Sequence, residues 1–141
     1  MMKFSCELPA NFQSLKSLRE LLQRYEAESS NGLKRFSQIE LALIEIFTNI
    51  VKHGEVIKDD LIEVQLRSSG NEMNIQLIDN GKQFLPSILE TVMPSISQDI
   101  DLLPENGFGV PLVVSITDSV RYERKDEKNF TTLIFVLDED S

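Results

Sequence analysis

The 141-residue sequence predicts an α+β fold, a two-layer sandwich in which three main helices cover one face of a mainly antiparallel, mixed sheet. Two observations carry this expectation. Segments of period-two alternation and segments with apolar residues every three or four positions follow one another in the order β, α, α, β, β, a long connection, α, β, β. The two central strands are separated only by a Ser-Gly turn, which makes them a hairpin and so an antiparallel pair.

The first strand is expected over Lys3 to Leu8, and Pro9 with Asn11 marks the turn out of it. From Phe12 to Glu28, Leu15, Leu18, Leu21, Leu22 and Tyr25 form one apolar helical face, which Ser29 to Gly32 end. A second helix is expected from Ser37 to His53, with Leu43, Ile44, Phe47, Ile50 and Val51 toward the core and Gly54 just past its end. The hairpin strands run Leu61 to Ser68 and Asn71 to Asp79, with Ile62, Val64, Leu66, Met73, Ile75 and Leu77 on one side. After Asp79-Asn80-Gly81 comes a long connection broken by Pro86, Pro94 and Pro104, which predicts a lid over a site at residues 82–106. A third helix is expected from Gly107 to Asp118, then strands from Val120 to Arg124 and from Phe130 to Leu137.

Composition narrows the function. Hydrophobic residues make up 41% and charged residues 26%, which fits one domain with a core of its own, so residues 1–141 are expected to fold as a single unit. A formal net charge of −9 argues against a nucleic-acid backbone as partner, since that binding depends on Lys and Arg releasing counterions. A lone cysteine, Cys6, can form neither an intrachain disulfide nor a cysteine-based zinc site. No stretch reaches the roughly 20 apolar residues of a membrane span, and the N-terminal residues do not read as a signal peptide, so a cytoplasmic location without membrane partners is expected.

Three short segments suggest chemistry. Glu45, Asn49 and His53 stand four residues apart and share one helical stripe beside the apolar one, where polar side chains can line a pocket. The Asn49 amide oxygen is a hard ligand suited to Mg²⁺, and Glu45 could orient or deprotonate an attacking hydroxyl. Asp79 of Asp79-Asn80-Gly81 closes a run of buried strand positions, where a carboxylate can accept from an exocyclic amine such as that of adenine. Asn106-Gly107-Phe108-Gly109-Val110 leads into an apolar helix, and glycines there let backbone N–H groups approach a phosphate. Each segment alone has an ordinary structural explanation: a solvated helix face, a tight turn and a helix start. Their order and spacing together are more specific.

Together these segments resemble the N box, G1 box and G2 box of the Bergerat-fold ATPases, and the chain is most similar to the anti-sigma regulatory factors with serine-protein kinase activity. The likeness extends from the first strand to Thr131-Thr132. It implies ATP or ADP with Mg²⁺ as ligands, Glu45 as catalytic carboxylate and Asn49 as Mg²⁺ ligand. It further implies that Asp79 reads adenine, that Gly81 gives the base room, and that Gly107, Phe108, Gly109 and Val110 hold the lid's hinge and the phosphates. Thr131 matches a threonine near the adenine-binding aspartate, and His53 a position often filled by histidine. Proteins of this kind sequester a sigma factor, phosphorylate a serine or threonine of a small antagonist (anti-anti-sigma) protein, and form homodimers.

The sequence also departs from that pattern. Residues 83–106 contain no Lys or Arg but carry Glu90, Asp99, Asp101 and Glu105, leaving Lys82 as the nearby cation for a γ-phosphate. Pro111 follows the glycine pair, and Phe130 stands where the family commonly has glycine before the threonine. These departures favour an alternative from a different class, a nucleotide-binding partner-switch module without phosphotransfer. The catalytic domain of a sensor histidine kinase and an α+β domain without a nucleotide are weaker alternatives, the former because the sequence shows neither a phosphoacceptor helix pair nor a membrane segment.

Overall fold

A computed structural model describes residues 2–28, 35–54, 56–57, 60–82, 113 and 115–137. The elements follow the order β1 (Met2–Pro9), α1 (Ser14–Glu28), α2 (Phe36–His53), β2 (Leu61–Ser69), β3 (Glu72–Asp79), β4 (Ser119–Lys125) and β5 (Lys128–Val136). The strands form one sheet in the order β1-β2-β3-β5-β4, with every described pairing antiparallel. Of the expected third helix, Val113, Ser115 and Ile116 are helical and the Thr117 N–H donates to the Val113 carbonyl at 3.0 Å. The rest of that helix and the predicted lid lie outside the described residues.

Helix α1 begins at Ser14, two residues later than the periodicity suggests, and Asn11 caps the turn that leads into it. The Asn11 Oδ1 accepts from the Ser14 N–H at 3.1 Å, satisfying a donor that the first turn leaves open. The β2–β3 hairpin turns through Gly70, whose φ of 62° lies in the left-handed region that primed turns require.

The core lies between the helices and one face of the sheet. Leu18, Leu21, Leu22 and Tyr25 of α1 and Ile39, Leu43, Ile46, Phe47 and Ile50 of α2 cover Ile62, Val64, Leu66, Met73, Ile75, Leu77, Leu133 and Phe135. Ile44 and Val51, expected in the core, pack only partly against it, whereas Ala42 and Ile46 on the stripe's other flank are buried. The apolar stripe of α2 is thus rotated slightly from its expected position, and the Glu45-Asn49-His53 row borders it half-buried. On the other face of the sheet, partly exposed polar side chains pair across strands, as where Gln76 Nε2 donates to Thr132 Oγ1 at 3.1 Å.

Candidate nucleotide-binding site

The alternation of β3 continues past its apolar residues. Met73, Ile75 and Leu77 are buried on the helix side, and Asp79, next in phase, takes its place on the same face at only 2% exposure. β5 behaves likewise. Asn129 and Thr131 stand in phase with Leu133 and Phe135, at 0% and 2% exposure. The antiparallel register sets Asp79 opposite Asn129 and Leu77 opposite Thr131, so three polar side chains meet at one end of an otherwise apolar face.

A buried carboxylate needs partners, and Asp79 has them on one oxygen only. Its Oδ1 accepts from the Gly81 N–H at 2.8 Å and from Asn129 Nδ2 at 2.9 Å. Its Oδ2 is buried with no partner among the described residues, and so is the Thr131 hydroxyl oxygen. Burial raises the Asp79 pKa above its usual value, against the lowering effects of the Asn129 and Gly81 hydrogen bonds and the Arg124 charge. Two unsatisfied buried oxygens on neighbouring strands are costly unless a ligand meets them. A purine edge that offers an amine to Oδ2 fits this arrangement.

The loop after β3 fits tightly against the end of α2. The Gly54 carbonyl accepts from the Lys82 N–H at 2.7 Å. A Cβ on Gly81 would stand 2.2 Å from that carbonyl oxygen and 2.8 Å from Val56 Cγ2, so this contact requires glycine. Gly54 closes α2 as expected, but in right-handed conformation with φ −79° and ψ −7°, not in the left-handed form common at helix ends. The contact puts the His53 end of the polar row against the residues that follow Asp79. Asn49 lies one turn back along α2 and Glu45 two turns back, roughly 6 and 12 Å along the axis at 1.5 Å per residue.

The structure therefore brings together Asp79, Gly81, Thr131 and the His53 end of the α2 row. Gly107, Phe108, Gly109 and Val110 lie outside the described residues. Three residues around Asp79 escaped the reading of the sequence: Asn129, Arg124 and Tyr122. Arg124 Nη1 donates to the Gly81 carbonyl at 3.0 Å and to Asn129 Oδ1 at 2.9 Å, placing a second cation beside Lys82 near the loop. The signal for Asn129 was its phase, since it continues the odd-numbered buried positions Thr131, Leu133 and Phe135. Starting the strand at Phe130 instead of Lys128 hid it.

With this geometry described, comparisons with known proteins identify the class. The chain belongs to the histidine kinase-like ATPase domain family, whose model matches residues 8–135. Membership implies an adenine nucleotide as ligand. Among individual relatives, the chain is 24% identical over 129 residues to an anti-sigma F factor of Clostridium botulinum, covering 89% of this chain and 87% of that one. It is 26% identical over 123 residues to the serine-protein kinase RsbW of Bacillus thuringiensis, covering 84% and 76%. In fold it resembles the crystal structure of the RsbU and RsbW domains of a Mycobacterium tuberculosis protein, with a TM-score of 0.69 at 17% identity; all of this chain matches 34% of that longer one. The Acinetobacter baumannii histidine kinase AdeS also shares the fold, with a TM-score of 0.56 at 15% identity over 95% of this chain and 68% of that one. No helix among the described residues is long and apolar enough to cross a membrane.

Proposed function

We propose that the chain is an ATP-dependent serine/threonine protein kinase of the anti-sigma type, acting in the cytoplasm as a homodimer. Residues 1–141 form one ATPase domain with its lid at 82–106. The kinase phosphorylates an anti-anti-sigma antagonist and sequesters a sigma factor in a partner switch. The observation that supports this reading most is a pair of buried oxygens without partners among the described residues, Asp79 Oδ2 and Thr131 Oγ1, on one sheet face at the end where α2 meets the Asp79-Gly81 loop. An amine donor satisfies Oδ2, and a 6-oxo group in its place would meet a carboxylate oxygen, so the site favours adenine over guanine.

Bound ATP with Mg²⁺ would supply the transferable phosphoryl group, in a chemistry where the protein contributes mainly positioning and charge neutralisation. Asp79, with Gly81 beside it, binds the base, and Thr131 borders it. Asn49 offers its amide oxygen to the metal, and Glu45, a turn earlier on the same stripe, orients or accepts the proton of the antagonist's hydroxyl. His53 lines the pocket where α2 ends. Gly107, Phe108, Gly109 and Val110 contact the phosphates.

Calorimetry with ADP or ATP and Mg²⁺ tests the binding half of this proposal, and absence of heat with well-folded protein overturns it. Labelled ATP with the cognate antagonist tests the kinase half. Label on the antagonist that disappears in Glu45→Gln supports it. Nucleotide binding without any label favours the second reading, a nucleotide-dependent partner switch without phosphotransfer, to which the acidic composition of residues 83–106 points.

A further inference from the structure

Asp79 does not hold its own orientation. A carboxylate's terminal torsion is broad, so a buried Asp presents one oxygen to a ligand only when the other is fixed. Here the Gly81 N–H holds Oδ1 from the loop at 2.8 Å, and Asn129, fully buried, holds it from the neighbouring strand. Its amide is held with a definite sense. On the nitrogen side stand three acceptors: Asp79 Oδ1 at 2.9 Å, the Lys82 carbonyl at 2.8 Å and the Gly81 carbonyl at 3.4 Å. On the oxygen side stand two donors, Arg124 Nη1 at 2.9 Å and the Tyr122 hydroxyl. Flipping the amide would set its oxygen against the carboxylate and the two carbonyls, and its NH₂ against a guanidinium and a hydroxyl, so only one orientation satisfies every partner.

We infer that Asn129 is a positioning residue for base recognition: locked by Arg124 and Tyr122, it occupies Asp79 Oδ1 together with the Gly81 N–H, and the two present Oδ2 as the acceptor for a purine 6-amino group. This inference rests on the reading of the site as adenine-binding. It gives Asn129 a part in nucleotide discrimination, separate from its place in the β4–β5 hairpin. Arg124 contributes twice, since it also holds the Gly81 carbonyl and with it the loop that shapes the base's side of the pocket. Fixing the acceptor before the ligand arrives removes an ordering cost from binding.

The test compares ADP with inosine diphosphate, which carries an oxygen where adenine has its amine. Wild-type protein is expected to prefer ADP in calorimetry with Mg²⁺. In Asn129→Ala the ADP affinity falls about tenfold while that for inosine diphosphate changes by less than about twofold, so the preference collapses. A purely structural role would weaken both nucleotides equally, and an unchanged ratio overturns the inference. If Asn129→Ala lacks a cooperative melting transition, Tyr122→Phe serves instead, since it removes one donor to Asn129 Oδ1 and keeps the ring. Its ADP preference is expected to fall about twofold to threefold, and an unaltered preference overturns the inference as well. Wild-type protein that binds both nucleotides alike overturns it while leaving nucleotide binding intact, whereas wild-type protein that binds neither overturns the functional reading too.

Discussion

Two arginine–aspartate networks sit at opposite ends of the β4–β5 ladder, made of the same chemical parts and arranged to opposite effect. At one end Arg35, just before α2, ties three segments together. Its Nη2 donates to the Ile116 carbonyl at 2.6 Å and its Nη1 to Asp118 Oδ2 and, at 3.3 Å, to the Val136 carbonyl. Its Nε donates to Gln38 Oε1 at 2.7 Å, and its guanidinium lies 5.0 Å from the Phe135 ring centroid. Asp118 Oδ2 also accepts from the Val136 N–H at 2.7 Å, and these interactions hold its pKa below the usual carboxylate value. At the other end half-buried Arg124 joins buried Asn129 and Asp79 in a network in which one carboxylate oxygen has no partner among the described residues and the Asp79 pKa is raised. The first network satisfies its groups and stabilises the fold; the second keeps an acceptor in reserve at a cost to stability, as the proposed binding site requires.

The sharpest way to break this contrast is Asp79→Asn. The new side chain's oxygen still accepts from Gly81 and Asn129, but its NH₂ stands where the proposed site accepts an adenine amine. ADP affinity in calorimetry is expected to fall by about 100-fold. Because burial raises the Asp79 pKa, the charged form is the disfavoured one: the stability linked to its protonation is complete below the usual value of 3.8 and lost as pH rises through the folded value. At pH 7 the charge is therefore a burden, and Asp79→Asn is expected to leave urea-unfolding stability of the nucleotide-free protein unchanged or raised by up to about 1 kcal/mol. A clear loss of stability would mean that both networks are structural.

Arg35→Ala should do the reverse. It leaves two carbonyls and the Asp118 carboxylate without their cation. Since Arg35 and Asp118 are 26% and 42% exposed, solvent replaces part of what is lost. An apo-stability loss of about 2 kcal/mol by urea unfolding is expected, with ADP affinity within about twofold of wild type.

The smallest effect separates the two aspartates by pH. Asp118 has a lowered pKa, so its contribution is present above the usual value of 3.8 and lost as pH falls through the lower folded value. In Asp118→Asn, the drop in melting temperature between pH 5 and about pH 3 should be shallower than in wild type, by an amount equivalent to less than about 1 kcal/mol. An equal slope would show that the exposed pair contributes nothing measurable.

Much of this was legible because local periodicity reports local burial. The helical stripe of Glu45, Asn49 and His53 and the in-phase Asp79 could be read from four-residue and two-residue spacings, and all seven described elements lie within two residues of where those spacings place them. Asn129 was not legible in the same way. A polar residue next to the Asp126-Glu127 turn looks like part of the turn, and only the pairing of Asp79 with Asn129, 50 residues apart in the chain, turns it into a partner of the carboxylate. Arg35 was hidden for the same reason, because its hydrogen-bond partners other than Gln38 lie 81 to 101 residues away.

By itself, then, the sequence determined the order of strands and helices and the side of each that faces the core, since these follow from side-chain spacing along a single element. The tertiary structure alone decided which oxygen of Asp79 has no partner among the described residues, why Gly81 has to be glycine, and which arginine ties Asp118 to α2 and which holds Asn129 and the Gly81 carbonyl. Those are properties of strand register and of loop against helix end, where atoms distant along the chain come within hydrogen-bonding range, and no periodicity within one element encodes them.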